Sequence, residues 1–251
     1  MCGRYAVTLP KEAMRQLFHT VNTVEQPPRY NVAPTQPMVT VREGEAGRTM
    51  QFARWGYVPP RLMDPRKIPL LINIRSDSMV SRPPFRDALA HRRCIVPADG
   101  YYEWLVRPDG RKQPYFITLA DGAPMVFAGL YSVWEGPSPT GEPIETVAIV
   151  TTDAGPDTAS IHNRSPVILR DDEIDSWLDT AGVGTAQAAS LAHPLESGSV
   201  SVRAVSTRVN AAANDGPDLV EEIDPEAEPA TAAPRTKKKA GRGGGGQLDL
   251  F

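Results

Sequence analysis

With 251 residues, 41% of them hydrophobic, and a formal net charge of −3, the chain can bury one large core or two small ones. No apolar run approaches the ~18 residues of a membrane span, and the N-terminus lacks the basic-then-apolar order of a secretory signal. Two cysteines, Cys2 and Cys94, exclude a disulfide framework and a cysteine-rich metal site, so the expected setting is a reducing cytoplasm, with no membrane, metal or other cofactor.

The charge is uneven along the chain. Residues 1–112 carry 18 Lys and Arg, 15 of them Arg, against 10 Asp and Glu; residues 113–218 carry 4 against 14. Guanidinium pairs bidentately with phosphate, so the Arg-rich half points to a polyanion. If both halves share one domain their charges mix on one surface, and charge alone leaves nucleic acid open.

The chain begins Met1-Cys2-Gly3-Arg4. A small residue behind the initiator Met is the setting in which Met is removed, which exposes Cys2 with a free α-amine. The amine has a reference pKa of about 7.7–8.0 and the thiol about 8.5, so both are partly nucleophilic near neutral pH. An amine and a thiol two carbons apart can take up an aldehyde, first as an imine and then, by sulfur attack, as a five-membered thiazolidine.

Pro10–Phe18 reads as a short amphipathic helix with Met14, Leu17 and Phe18 on one side. Gln26–Pro37 reads as loop. Met38–Arg42 and Thr49–Trp55 alternate as strands of a hairpin turning at Glu43–Gly47. A Pro- and Arg-bearing loop, Gly56–Pro69, leads to the apolar run Leu70–Ile74. Phe85–Arg93 is a second helix. Cys94–Pro97, Tyr101–Val106, Pro114–Leu119, Pro124–Trp134 and Ile144–Thr152 read as strands, Ile161–Leu169 as a short apolar run, Asp171–Asp179 as a third helix and Val200–Val209 as the last strand. Many short strands with about three helices predict an α+β fold, mostly antiparallel, as a barrel or packed sheets.

Past Asp224 the composition turns acidic, then Ala/Pro-rich, then basic at Lys237–Lys239, then all glycine at Gly243–Gly246. Such a stretch cannot bury a core, and residues 224–246 are expected to form a disordered linker.

Three segments carry chemistry. Asn73-Ile74-Arg75 sets an amide and a guanidinium on one face of an extended strand. Glu103 lies among aromatic residues in Tyr101-Tyr102-Glu103-Trp104, where desolvation favours proton transfer. His162 stands just before an apolar run. Each is weak alone, because a surface Glu or a structural His is the common case.

Their order is more specific. Met1-Cys2-Gly3-Arg4-Tyr5, Tyr30-Asn31-Val32-Ala33-Pro34-Thr35-Gln36, Trp55-Gly56-Tyr57-Val58-Pro59, Asn73-x-Arg75-Ser76, Cys94 through Trp104, Ile161-His162-x-Arg164-x-Pro166 and Val209-Asn210 followed by Asn214-Asp215 occur in series. The series resembles the SRAP (SOS response-associated peptidase) family across residues 2–223, which implies one SRAP-like domain over 1–223. The resemblance implies capture of the ring-opened aldehyde of an abasic site in single-stranded DNA as a thiazolidine crosslink. By motif, Cys2 is the nucleophile, Asn73 holds the α-amine or opened sugar, Glu103 moves protons, and His162 assists sugar opening or thiazolidine reversal. Arg4, Arg75, Asn31, Pro34, Trp55 and Arg164 are expected at the DNA. The chain has Ile74 and Asp77 where relatives usually carry Ala and Glu. Its loop reads Pro60-Arg61-Leu62-Met63 where relatives often carry tryptophan, so Leu62 or Met63 would take over contact with bases.

The last five residues, Gln247-Leu248-Asp249-Leu250-Phe251, resemble the bacterial sliding-clamp binding motif. The expected partners are therefore single-stranded DNA and, through residues 247–251, the replication clamp, for a monomer at the bacterial nucleoid. Two other readings stand beside the crosslinker: a thiol peptidase built on Cys2, Glu103 and His162, and a non-covalent reader of modified or single-stranded DNA. Cys94 reads as a buried structural thiol.

Overall fold

The computed structural model describes residues 2–138 and 141–226. In chain order it contains β1 (Tyr5–Val7), α1 (Lys11–Phe18), β2 (Arg29–Val32), β3 (Pro37–Arg42), β4 (Thr49–Trp55), β5 (Asn73–Arg75), α2 (Ser76–Ser81), α3 (Pro83–His91), β6 (Arg93–Ala98) and β7 (Gly100–Val106). There follow β8 (Lys112–Leu119), β9 (Met125–Trp134), β10 (Ile144–Asp153), β11 (Arg164–Pro166), α4 (Asp171–Leu178), α5 (Thr185–Ser190) and β12 (Val200–Ala204).

Five strands close on themselves. β3 pairs with β4 and β6, β6 with β9, β9 with β10, and β10 returns to β4. Side chains alternate across such a wall. Met38, Ala53, Trp55, Cys94, Val96, Phe127, Val147 and Ile149 fall in one buried cluster, the barrel interior. Their neighbours Val39, Val41, Ile95, Ala128, Leu130, Ala148 and Val150 pack outward against Met79, Phe85, Leu89, Trp177 and Ala188 of the helices. Every residue of β6 is therefore buried, which is why Cys94–Pro97 reads as an unbroken apolar strand. The interior is tight at Gly129, where a Cβ would sit 2.9 Å from Cys94 Sγ.

β10 outruns the barrel and changes partners. Ile144–Ile149 lies against β9, and Thr151–Asp153 against β11. On the opposite edge Thr146–Val147 runs parallel to β4, and Ile149–Thr151 runs parallel to β5. A second sheet, ordered β12-β8-β7-β1-β2, packs over this end of the barrel. Tyr5, Tyr101 and Ile117 join the interior cluster, and the Tyr5 ring meets Trp55 edge-on at 5.6 Å and Phe127 at 6.1 Å. The sheet's other face, Ala6, Tyr102 and Phe116, is covered by Val205, Val209 and Leu219.

The architecture is the expected α+β, mostly antiparallel fold; among the named strands described, only the contacts of β10 with β4 and β5 run parallel. The three expected helices are present, but the described residues form five. α2 and α5 have six residues each and bury one apolar side chain apiece, Met79 and Ala188, too few to show a 3.6-residue period. Gln26–Pro37 is not all loop: Arg29–Val32 forms edge strand β2, which pairs with β1 through an irregular register. The last strand stops at Ala204, before a 3-10 turn at Thr207–Asn210. Among the described residues no helix is long and apolar enough to cross a membrane. The expected clamp motif and nearly all of the expected linker lie outside the described residues.

Candidate active site at Cys2

β1 is held between β2 and β7, with Tyr5 across from Tyr101 and Ala6 across from Gly100. Tyr102 N donates to Arg4 O at 3.0 Å, which carries the pairing one step further and sets Gly3 across from Glu103. Cys2 thus emerges where the small sheet meets the barrel mouth. Its side chain is fully buried in the interior cluster, with Sγ 3.9 Å from Arg4 O. Burial pushes the Cys2 thiol pKa well up, and the charge of Glu103 adds to the shift, so at neutral pH the sulfur carries its proton.

Asn73 arrives from the other direction, on β5 opposite Ile149 of β10. Its Nδ2 donates to Cys2 O at 2.8 Å. Its Oδ1 is buried and has no hydrogen-bond partner among the described residues, so one end of the amide holds the Cys2 main chain while the other is an open acceptor.

Glu103 is 3% exposed on β7. Tyr101, two residues earlier and on the same face, has its pKa raised by burial first and then by the charges of Cys2 and Glu103. Cys2 and Glu103 therefore lie near enough to Tyr101 for their charges to act on it. His162 precedes β11. Its Nδ1 accepts the Arg164 N–H at 2.9 Å, and a backbone N–H can only donate, so the neutral ring carries its proton on Nε2. His162 N donates to Thr158 O at 3.1 Å. Thr158 side-chain bonds Tyr101, and both line a cavity of about 10 Å³, room for a single water, with Gly155, Ser165 and Ile168. The His162 turn is thus braced on the wall that Cys2 and Tyr101 occupy. Sequence reasoning passed over Tyr101 and Thr158. Tyr101 was detectable by its spacing from Glu103, whereas Thr158 carried no signal.

The residues expected at DNA divide by depth. Arg75 is exposed and pairs with the equally exposed Asp77 at 2.8 Å, a contact that solvent screens strongly. Pro34 is half-buried in a turn where Thr35 takes φ +74°. Arg4 is half-buried, and Nη1 donates to Asn31 Oδ1 at 3.0 Å and Val209 O at 2.6 Å, while Nη2 donates to Asn210 O at 3.3 Å. Asn31, Trp55 and Arg164 lie beneath the surface. Asn31 Nδ2 faces the carbonyls of Val209, Ala211 and Asn214; Trp55 Nε1 donates to Ile72 O; Arg164 bridges Asp153 and Thr151 O. These three shape the site from behind. In the loop that lacks tryptophan, Met63 is exposed and Leu62 O accepts from Trp134 Nε1 at 2.6 Å. Cys94 is buried, its pKa pushed up to about 12 by burial.

A closed barrel with a cysteine at its mouth, held by an asparagine amide beside a buried glutamate, defines a class of cysteine-centred protein. A sequence profile of that class, the SOS response associated peptidase (SRAP) family, matches residues 1–212, and the chain belongs to this family. It is 33% identical to the abasic site processing protein YoqW of Bacillus subtilis, over 88% of this chain and 99% of that protein. It is likewise 33% identical to the abasic site processing protein HMCES of Gallus gallus, over 89% of this chain and 78% of that one. Among crystal structures, a protein from Bacteroides thetaiotaomicron shares the fold with a TM-score of 0.78 at 24% identity, covering 88% of this chain and all of its own. One from Bordetella bronchiseptica does so with a TM-score of 0.71 at 28% identity, over 82% of this chain.

Proposed function

We propose that the protein processes abasic sites in single-stranded DNA by covalent capture. With Met1 removed, the Cys2 amine attacks the ring-opened aldehyde; the carbinolamine loses water to give an imine; Cys2 Sγ then bonds to the imine carbon. The thiol proton leaves to the Glu103 carboxylate and the ring nitrogen gains a proton, so aldehyde, amine and thiol yield thiazolidine and one water, with no redox change. The observation that carries this reading is the Asn73 amide, whose Nδ2 grips the Cys2 carbonyl while its buried Oδ1 has no partner among the described residues. The thiol is held as S–H. The amine therefore reacts first, and ring closure needs a proton acceptor, the role of Glu103. His162 Nε2–H assists opening of the sugar ring. Arg75 and the remaining N–H groups of Arg4 meet phosphates beside Pro34, while Asn31, Trp55 and Arg164 hold these groups in place. That similar proteins are abasic site processing proteins supports the same substrate.

The test is a denaturing gel with single-stranded DNA bearing one abasic site. A heat-stable band without borohydride is expected for wild type and none for Cys2→Ala. Asn73→Ala should slow its appearance by about 10²-fold, the cost of a misplaced nucleophile. Cys2→Ser should give a band only after borohydride, since the amine remains and the ring-closing sulfur is gone. No wild-type band, with mass spectrometry confirming that Met1 is absent, would remove the covalent reading. Peptide turnover would then favour a peptidase, and durable Cys2→Ala binding a non-covalent reader.

The C-terminal residues 247–251 extend this proposal to a partner. Gln247-Leu248-Asp249-Leu250-Phe251 carries three large apolar side chains in its last four residues, and its likeness to the clamp-binding motif supports this extension. Bound to the replication clamp, they would keep the catalytic domain near exposed template. Full-length chain should bind purified clamp in anisotropy titrations, and deletion of residues 247–251 should abolish binding; equal affinity of both would refute the tether.

A further inference from the structure

Arg54 is the last residue but one of β4, on the outer wall beside the barrel rim. It is half-buried, and among the described residues its side chain has no hydrogen bond, ion pair or ring contact. Every other buried or half-buried arginine among those residues has an acceptor within reach. Burial alone acts on its guanidinium, which lowers its pKa. A partly desolvated cation without an acceptor is costly unless a ligand supplies one.

The surroundings say which ligand. The side chain runs toward the rim: a Cβ on Gly56 would lie 3.0 Å from Arg54 Nη1 and 2.5 Å from Leu70 Cδ1. Leu70 is 48% exposed, and Phe52, two residues back on the same face of β4, is 41% exposed. Arg54 and Asn73 stand on the same edge of β10, opposite Thr146 and Ile149. That separation of three residues is roughly 10 Å along the strand, on the order of two or three nucleotides. An unpaired guanidinium beside exposed aromatic and aliphatic side chains matches a strand of alternating phosphates and bases.

We infer that Arg54, Leu70 and Phe52 form a second contact surface for the DNA single strand that carries the lesion, with a phosphate on Arg54 and a base against Phe52. The strand leaves Cys2 over the rim and continues down the outer wall. This surface rests on the single-stranded DNA reading above and supplies an aromatic platform that the Pro60–Met63 loop lacks.

The test is anisotropy of full-length protein with an undamaged, labelled oligonucleotide of ~15 nucleotides across a salt series. Arg54→Ala should weaken binding about 5-fold or more and lower the slope of log affinity against log salt by about 0.7, the loss of one phosphate contact on a single strand. Arg54→Lys should keep the slope. Phe52→Ala should weaken binding about 5-fold or more with the slope unchanged, and Phe52→Trp should restore affinity. Wild-type slope and affinity in Arg54→Ala would overturn the inference. The probe has no aldehyde, so failure of Cys2 to crosslink abasic DNA would sink the chemistry alone. Crosslinking with an indifferent Arg54→Ala would sink this surface alone.

Discussion

Burial works against the Cys2 thiol as a nucleophile, and in the proposed reaction an α-amine and the Glu103 carboxyl answer for it. The same burial makes a prediction about stability. Cys2, Cys94, Tyr5, Tyr101 and Tyr102 all have pKa values raised by burial, Cys94 to about 12. In the unfolded chain thiols titrate near 8.5 and phenols near 10. Below pH ~8 both states keep these protons and the groups add no pH dependence. Above ~8.5 the unfolded chain releases thiol protons that the folded chain retains, so folding stability falls as pH rises. Thermal melting should show a Tm decline setting in near pH 9 and steepening above pH ~10. A Cys2→Ala/Cys94→Ala variant should lose the first part of the decline and keep the second. A Tm that stays level to pH 11 would contradict the burial of these side chains.

Elements of this molecule were legible where one pattern acted alone. Thr49–Trp55 alternates apart from the adjacent Phe52 and Ala53 and forms a strand with those bounds, and Asp171–Leu178 carries acidic residues at its start and a helical apolar face. β1, β2 and β11 were hidden because strands of three or four residues are recruited by neighbours, not by their own pattern. At the site the motif residues were legible as a set but not their depth: Asn31 and Arg164 are polar, yet tertiary hydrogen bonds bury them. The sequence left a barrel and packed sheets as alternatives, since closure depends on which strands meet, and it is testable at Gly129. A Cβ there would be 2.9 Å from Cys94 Sγ, too close in a closed wall, with Ala148 O already in contact at 3.5 Å. Gly129→Ala should cost about 1–3 kcal/mol by overpacking. Cys94→Ala removes the obstructing sulfur, so in the double variant the new methyl should recover at least about 1 kcal/mol of the summed single losses in urea denaturation. Simple additivity would mean that the two side chains do not meet inside the barrel.

At the scale of the whole molecule, the segment after β12 returns to lock the N-terminal strand. Val205, Val209 and Leu219 are fully buried against Ala6, Tyr102 and Phe116. Val209 O and Asn210 O hold Arg4, Asp215 accepts from Tyr30 N and Asn31 N, and Trp104 Nε1 donates to Asn210 Oδ1 at 2.7 Å. The site at Cys2 therefore depends on residues more than two hundred positions away. Ending the chain after Ser206 removes Val209 and Leu219, about 1.5–3 kcal/mol each, and leaves the Asn31 amide facing no acceptor, about 1–3 kcal/mol more. The sum is comparable with the ~5–15 kcal/mol that holds a domain folded. That truncation should melt at least 10 °C lower or fail to fold, and should form no crosslink. Ending the chain after Glu226 removes none of these contacts; Tm should stay within about 2 °C of the full chain and crosslinking should persist, while clamp binding disappears. A chain ending at Ser206 that melts cooperatively at the full-length Tm would show that β1, and with it Cys2, is positioned without the returning segment.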